Sequence, residues 1–307
     1  MNIGLCYYQV GDGPLAERIG ATYATMQCDV SEGLPDHDAL IADMTAHGCR
    51  PIPDMRTSIP KLGEMIAGEG NPLERRDRAL RWFSDQIIAY LDEHPEVEDV
   101  EVWASAELAQ FIHGRGEMLD YASVLTDVYG QVKELRPGVR VWTGGFGCGH
   151  GATADVTLLE RALAEFAPRA FDVCNMHPFL LSTGQVDVDC VTVNVRLKQA
   201  RKTLDTRCAG QPLAATGFGI PTVNLPPVPE NYGRFWKPFG VRAIPETEAL
   251  DWYRPLLAVL EDVGLETVCL LARDTEPPQR FIHLCGLTRA DGSDKAFTAE
   301  LADWLTR

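Results

Sequence analysis

A chain of 307 residues with 45% hydrophobic and 23% charged side chains can bury a full core, which excludes disordered and fibrous classes. Its 44 acidic side chains against 28 basic ones leave a formal charge of −16. That field repels phosphate backbones and anionic lipid headgroups, so no nucleic acid and no membrane is expected as partner, while neutral or basic saccharides stay open.

The chain begins with the strand-like Ile3–Tyr8. The segment has no positive start, apolar core or small-residue cleavage site, so it does not read as a signal peptide, and synthesis in the cytoplasm is expected. No apolar run approaches the roughly 18 residues a membrane span needs. The nine cysteines are odd in number, scattered and free of any C-x-x-C pair, which speaks against a disulfide framework or a structural zinc. They are expected as small core hydrophobes, with no metal and no cofactor.

After the first run come a short helix near Leu15–Gly20, a strand at Tyr23–Cys28 and a helix over Asp36–His47, capped by Asp36 and ended by Gly48. A strand at Arg50–Asp54 leads to a helix over Arg75–Glu93, where Leu80, Phe83, Ile87 and Tyr90 share one face and His94-Pro95 ends the turn. Val100–Trp103, the helix Met118–Leu135 and Val139–Thr143 follow, then a helix at Thr157–Phe166 and the strand Phe171–His177. The helix Val191–Thr206, the strand Leu213–Phe218, the helix Glu246–Val263 and the strand Thr267–Leu271 complete the pattern. Eight strands alternating with helices, with no glycine-rich phosphate loop after the first, predict an α/β fold: one (β/α)₈ TIM barrel spanning residues 1–307 as a single domain.

In such a barrel the site lies at the C-terminal ends of the strands. That places Asp29 and Ser31 after strand two, Asp54 and Arg56 after strand three, and Trp103, Ser105 and Glu107 after strand four. Trp142 ends strand five, Asn175 and His177 strand six, Thr216 strand seven, and Arg273 and Asp274 follow strand eight. Trp103, Trp142 and Trp236 are candidate platforms for sugar rings, with rim packing as the alternative for the first two. Cys148 and His150 have no third partner nearby to make a metal site.

Several segments resemble one family in chain order. Glu101-Val102-Trp103-Ala104-Ser105-Ala106 resembles the E-I-W-N-E-P run that ends strand four in clan-A glycoside hydrolases, the retaining (β/α)₈ glycosidases. His47-Gly48-Cys49-Arg50-Pro51-Ile52-Pro53 is similar to the approach to strand three, and Phe171-Asp172-Val173-Cys174-Asn175-Met176-His177-Pro178-Phe179 to the F-D-x-x-s-x-H-P-Y of strand six. Thr216-Gly217-Phe218-Gly219 resembles T-E-F-G on strand seven. The closing G-L-x-x-x-D-G-x-x-K-p is matched by Gly286 through Ala296. The resemblance implies a glycoside-hydrolase-like barrel.

It also implies an acid/base glutamate where Ser105 stands and a nucleophilic glutamate where Gly217 stands, with Ala104 in place of the asparagine before the acid/base. A retaining mechanism needs two carboxyls roughly 5–5.5 Å apart, and neither serine nor glycine supplies one. A nucleophile changed to glycine is also what disabling hydrolysis by engineering leaves, but that accounts for Gly217 alone. The expectation is a catalytically degenerate barrel that keeps a cleft lined by Asp54, Arg56, Trp103, Trp142, Asn175, His177, Trp236, Arg273 and Asp274. Its partners would be an oligosaccharide or cell-surface glycan and other subunits of a larger assembly, for which a virion-associated phage tail fits. The alternative is an active glycosidase on a cell-wall or storage glycan, with Glu107 working beside a non-standard carboxylate. Glu101, on the same strand parity as Trp103, is expected to be structural.

Overall fold

Each of the eight apolar runs becomes a parallel strand. The computed structural model describes residues 1–57, 61, 64–65, 67, 69–103, 118–147, 170–178, 185–208, 210–223, 244–275 and 284–307. The eight barrel strands are β1 (Asn2–Cys6), β2 (Tyr23–Asp29), β3 (Arg50–Arg56), β4 (Asp99–Val102), β5 (Arg140–Thr143), β6 (Cys174–His177), β7 (Leu213–Phe218) and β8 (Thr267–Leu271), with two-residue strands at Phe146–Gly147, beside β6, and at Thr222–Val223 and Ile244–Pro245. Hydrogen bonding runs β5-β4-β3-β2-β1-β8-β7-β6, all parallel. The ring is nearly closed between β5 and β6, where Trp142 bridges Val173 and Thr143 N donates to Val173 O at 3.0 Å.

Among the described residues the helices are α1 (Gly13–Ile19), α2 (Asp38–Ala46), α3 (Pro72–Glu93), α4 (Met118–Leu135), α5 (Val186–Arg207), α6 (Leu250–Asp262) and α7 (Thr298–Leu305). The helix expected over Thr157–Phe166 lies outside the described residues. On α3 the predicted face is buried through Leu80, Phe83, Ile87 and Tyr90, and Asn71 caps the helix, its Oδ1 accepting from Leu73 N at 3.0 Å. Asp36 does not cap α2: His37 stands at that position, and Asp36 accepts from Asp38 N in a turn. Gly48 ends α2 as predicted, at φ +75°. No helix among the described residues is long and apolar enough to cross a membrane. The eight described cysteines are all free, six of them buried.

The core has two parts. Most apolar side chains fill the space between strands and helices, whereas Cys6, Tyr23, Ile52, Trp142, Val173, Ala214, Cys269, Leu271 and Cys285 pack inside the barrel. Gly4 belongs on this inner face because a Cβ there would sit 2.6 Å from Cys269 Sγ and 2.7 Å from Tyr23 O.

Below that layer the barrel foot is closed by charge. Asp99, wholly buried at the start of β4, accepts from Arg50 Nη2, Arg140 Nε and Trp142 Nε1, each at 2.7 Å. Both guanidiniums also lie over the Tyr23 ring, at 5.5 and 5.9 Å. Removing one partner of a buried ion pair strands the others. Asp99→Ala should therefore lower unfolding stability by about 3 kcal/mol, the low end of that class because Arg50 is partly solvated. Urea denaturation at neutral pH measures it.

Candidate functional site

Strand alternation places a polar layer directly above the apolar filling of the barrel. Ile52, Val173 and Ala214 point inward, so two residues further along the same strands Asp54, Asn175 and Thr216 point inward as well. Asp54 and Glu101 are register partners on adjacent strands, and each is 1% exposed.

The layer converges on one oxygen. Glu101 Oε1 accepts from Asn175 Nδ2 at 2.9 Å and from Gly145 N at 3.2 Å, lies 3.7 Å from His177 Nε2, and its carboxyl is hydrogen-bonded to the Thr216 hydroxyl. Asn175 ties three strands together. Its N–H donates to Thr143 Oγ1 at 2.8 Å, its Oδ1 accepts from Thr216 N at 2.8 Å, and its Nδ2 also reaches Thr216 Oγ1 at 2.5 Å. Thr216 Oγ1 in turn lies 3.1 Å from His177 Nε2. Arg56 pairs with Asp54 and lies over the Tyr7 ring at 5.8 Å, with its side chain 28% exposed; it is the most solvent-accessible of these charged groups.

Burial controls both titrating groups. It raises the Glu101 carboxyl to about 7, against the lowering effect of hydrogen bonds from Thr216, Gly145 and Asn175 and of the Arg56 charge. It lowers His177 to about 3, with repulsion from Arg56 acting in the same direction. The two therefore meet at 3.7 Å as a neutral imidazole and an acid that gives up its proton around neutral pH.

Local backbone shape aims these groups. Tyr7 and Trp103, just after β1 and β4, have φ of +57° and +64°, a region non-glycine residues enter at a cost of about 1–3 kcal/mol and one found at functional sites. At Trp103 this breaks the parity expected with Glu101: Glu101 faces inward, and the indole packs edge-on to Phe83 of α3 at 5.1 Å. On β7 the register with β8 shifts between Ala215 and Phe218, so Thr216 stays inside while Phe218 meets Tyr253 of α6. Gly217 sits in that irregularity, which is where bulges re-aim side chains beside sites. Gly144 and Gly145 permit close approach, since a Cβ would lie 1.8 Å from Trp103 O in the first case and 2.1 Å from the His177 ring in the second.

The structure thus brings Asp54, Arg56, Asn175, His177 and Thr216 together and adds Glu101, Tyr7 and the Gly144-Gly145 turn. Two consecutive glycines after strand five were the available signal for that turn. Two of the three tryptophans expected as platforms, Trp103 and Trp142, are placed elsewhere. Trp142 is wholly buried in the barrel with its N–H on Asp99, and Trp103 is 4% exposed against α3, so neither ring has a free face at the mouth. Arg273 pairs with Asp12. Asp274 accepts from Lys295 Nζ at 2.8 Å and from Gly286 N at 2.9 Å, while Lys295 also donates to Thr222 Oγ1 and Leu284 O. Both residues hold the segment after β8 in place. Asp29 accepts from Ser31 N in a local turn. Ser105, Glu107, Trp236, Cys148 and His150 lie outside the described residues. Among the described residues no group of three His, Cys, Asp or Glu side chains is placed to hold a metal ion.

No family model matches the chain, and no curated protein does. Solved structures do. A family 39 glycoside hydrolase from Bacteroides cellulosilyticus WH2 superposes with a TM-score of 0.66 at 16% identity over 99% of this chain and 64% of its own. The exo-β-1,4-mannosidase Op5Man5 from Opitutaceae bacterium strain TAV5 gives 0.61 at 14% over 100% and 59%. β-Glucuronidase 2 of Bacteroides uniformis gives 0.62 at 14% over 100% and 35%. The chain therefore shares the fold of TIM-barrel glycoside hydrolases and spans less than two thirds of each of these neighbours.

His177 supplies a pH test. Its ionisation is depressed in the folded state, so its contribution to stability is present above its ordinary range near 6.5 and is lost as pH falls toward 3. In His177→Gln that loss is absent, so the deficit in Tm relative to the unaltered chain should shrink on acidification from about pH 7 to about pH 4. Thermal scans across that range check it.

Proposed function

We propose that this protein is a saccharide-binding barrel on a glycoside-hydrolase-like frame, which grips a glycan without cleaving it by the two-glutamate retaining route. The observation that carries the reading is the mouth itself. Asp54, Arg56, Glu101, Asn175, His177 and Thr216 form a connected polar layer at the strand ends where (β/α)₈ barrels bind ligands, while β7 presents Thr216-Gly217 without a carboxylate.

The neighbours named above are glycosidases, which supports a carbohydrate ligand for this mouth. Ser105 and Gly217 at the two positions where the motif resemblance expects glutamates support binding without turnover. A barrel that holds glycan without cutting it serves adhesion, and we place it in an assembly that contacts a cell surface, such as a phage tail.

Binding should be saturable toward some member of an oligosaccharide panel in calorimetry. Arg56→Ala should weaken it about tenfold, the effect of losing one charge-assisted hydrogen bond. A panel of 4-nitrophenyl glycosides should show no turnover. Hydrolysis that disappears in Glu107→Gln would overturn the proposal in favour of an active glycosidase, and failure to bind any glycan would leave a purely structural role.

A further inference from the structure

Two acids stand two residues apart on the inner face of β4, and the barrel treats them in opposite ways. Asp99 is met by two guanidiniums and an indole N–H. Glu101 is met by an amide, a backbone N–H and a hydroxyl. Among the described residues its only basic neighbour within ion-pair distance is His177, at 3.7 Å. The guanidinium facing it from β3, Arg56, is engaged with Asp54. The remaining titratable groups around it are Cys6 from β1, Tyr7 just after it and Cys269 from β8, and burial keeps all three neutral. From β5 and β7 it is faced by Trp142, Thr143 and Thr216, which carry no charge.

Taking the saccharide reading as its basis, we propose that Glu101 holds one proton beneath the mouth beside a neutral His177, and that this pair selects a glycan bearing a cationic nitrogen, an amino sugar. The Thr216 hydroxyl is hydrogen-bonded to Glu101 and within reach of His177 Nε2, so it joins the two side chains, with the proton on the Glu101 carboxyl and the imidazole neutral. Loss of the proton to solvent leaves one negative charge with no cation in contact, in a low-dielectric layer where charge acts strongly. Burial sets that loss near neutrality, at about 7 for Glu101. A ligand ammonium supplies the cation that Glu101 lacks, and the net charge of −16 draws such a ligand in. An acetylated sugar of the same shape gains nothing from it.

Carbon-13 NMR of glutamate-labelled protein tests the pair without any ligand. The carboxyl signal lost in Glu101→Gln should titrate near neutrality, and Thr216→Val should move that titration upward by removing a bond to the ionised form. If Glu101→Gln does not fold, the shift in Thr216→Val alone assigns the signal. A carboxyl already ionised at about pH 5.5 overturns the pair.

Calorimetry then tests selection with two probes, chitobiose whose amines are trimethylated, so that its charge is independent of pH, and N,N′-diacetylchitobiose. The trimethylated sugar should bind about fivefold more tightly at pH 8 than at pH 6, the effect of about one added charge interaction. The acetylated sugar should show no such change, and Glu101→Gln should abolish it. Equal binding of both sugars at both pH values overturns amino-sugar selection and leaves the saccharide reading standing. No binding of either, with the carboxyl titrating near neutrality, overturns the ligand and counts against the saccharide reading while the pair stands.

Discussion

A single buried carboxylate at the barrel foot sets the frame on which the site is built. Asp99 joins the starts of β3, β4 and β5 through Arg50 and Arg140, and Arg140 extends the join to Glu266 at 2.7 Å and to the Tyr23 hydroxyl at 3.1 Å. A charge with no access to water must keep these partners, and keeping them fixes which residue of each strand lies at which height. A slip of one residue would turn Ile52 and Trp142 out of the barrel and the polar layer with them. The positions of Asp54 and Glu101 at the mouth thus follow from the ion pairs at the opposite end.

Between foot and mouth lies an apolar plug, and that separation gives the mouth its chemistry. Glu101 and His177 are close enough to interact and too deeply buried for water to stabilise either charge, so both are pushed toward their neutral forms. The strained turns at Tyr7 and Trp103 and the register shift around Gly217 sit at this end, beside the polar layer. Local departures from ideal backbone gather where side chains must be aimed, while the foot is held by regular strand starts.

Much of the fold was legible in the residues. Short apolar runs alternating with helical spacing placed all eight strands and six of the seven described helices, α7 being the one missed, since burial against a parallel sheet demands that pattern. Within the site, Asp54, Arg56, Asn175, His177 and Thr216 followed from their places at the C-terminal ends of β3, β6 and β7. Trp103 did not, because a positive φ breaks alternation without a glycine to announce it. Trp142 was misplaced for a different reason: its height depends on the Asp99 partnership across strands. Asp274 is occupied by Lys295, twenty-one positions away, and no local spacing signals such a bond.

The sequence by itself determined the repeating strand and helix order, the acidic surface, and the absence of a carboxylate at Gly217 and Ser105. Those are properties of composition and period, which local physics is enough to read. Only the tertiary structure decided that Glu101 is the point where four strand ends converge and that its buried neighbours withhold a cation. The reason is that an acid's behaviour depends on what surrounds it in space, and here the surroundings come from β3, β6, β7 and the turn after β5.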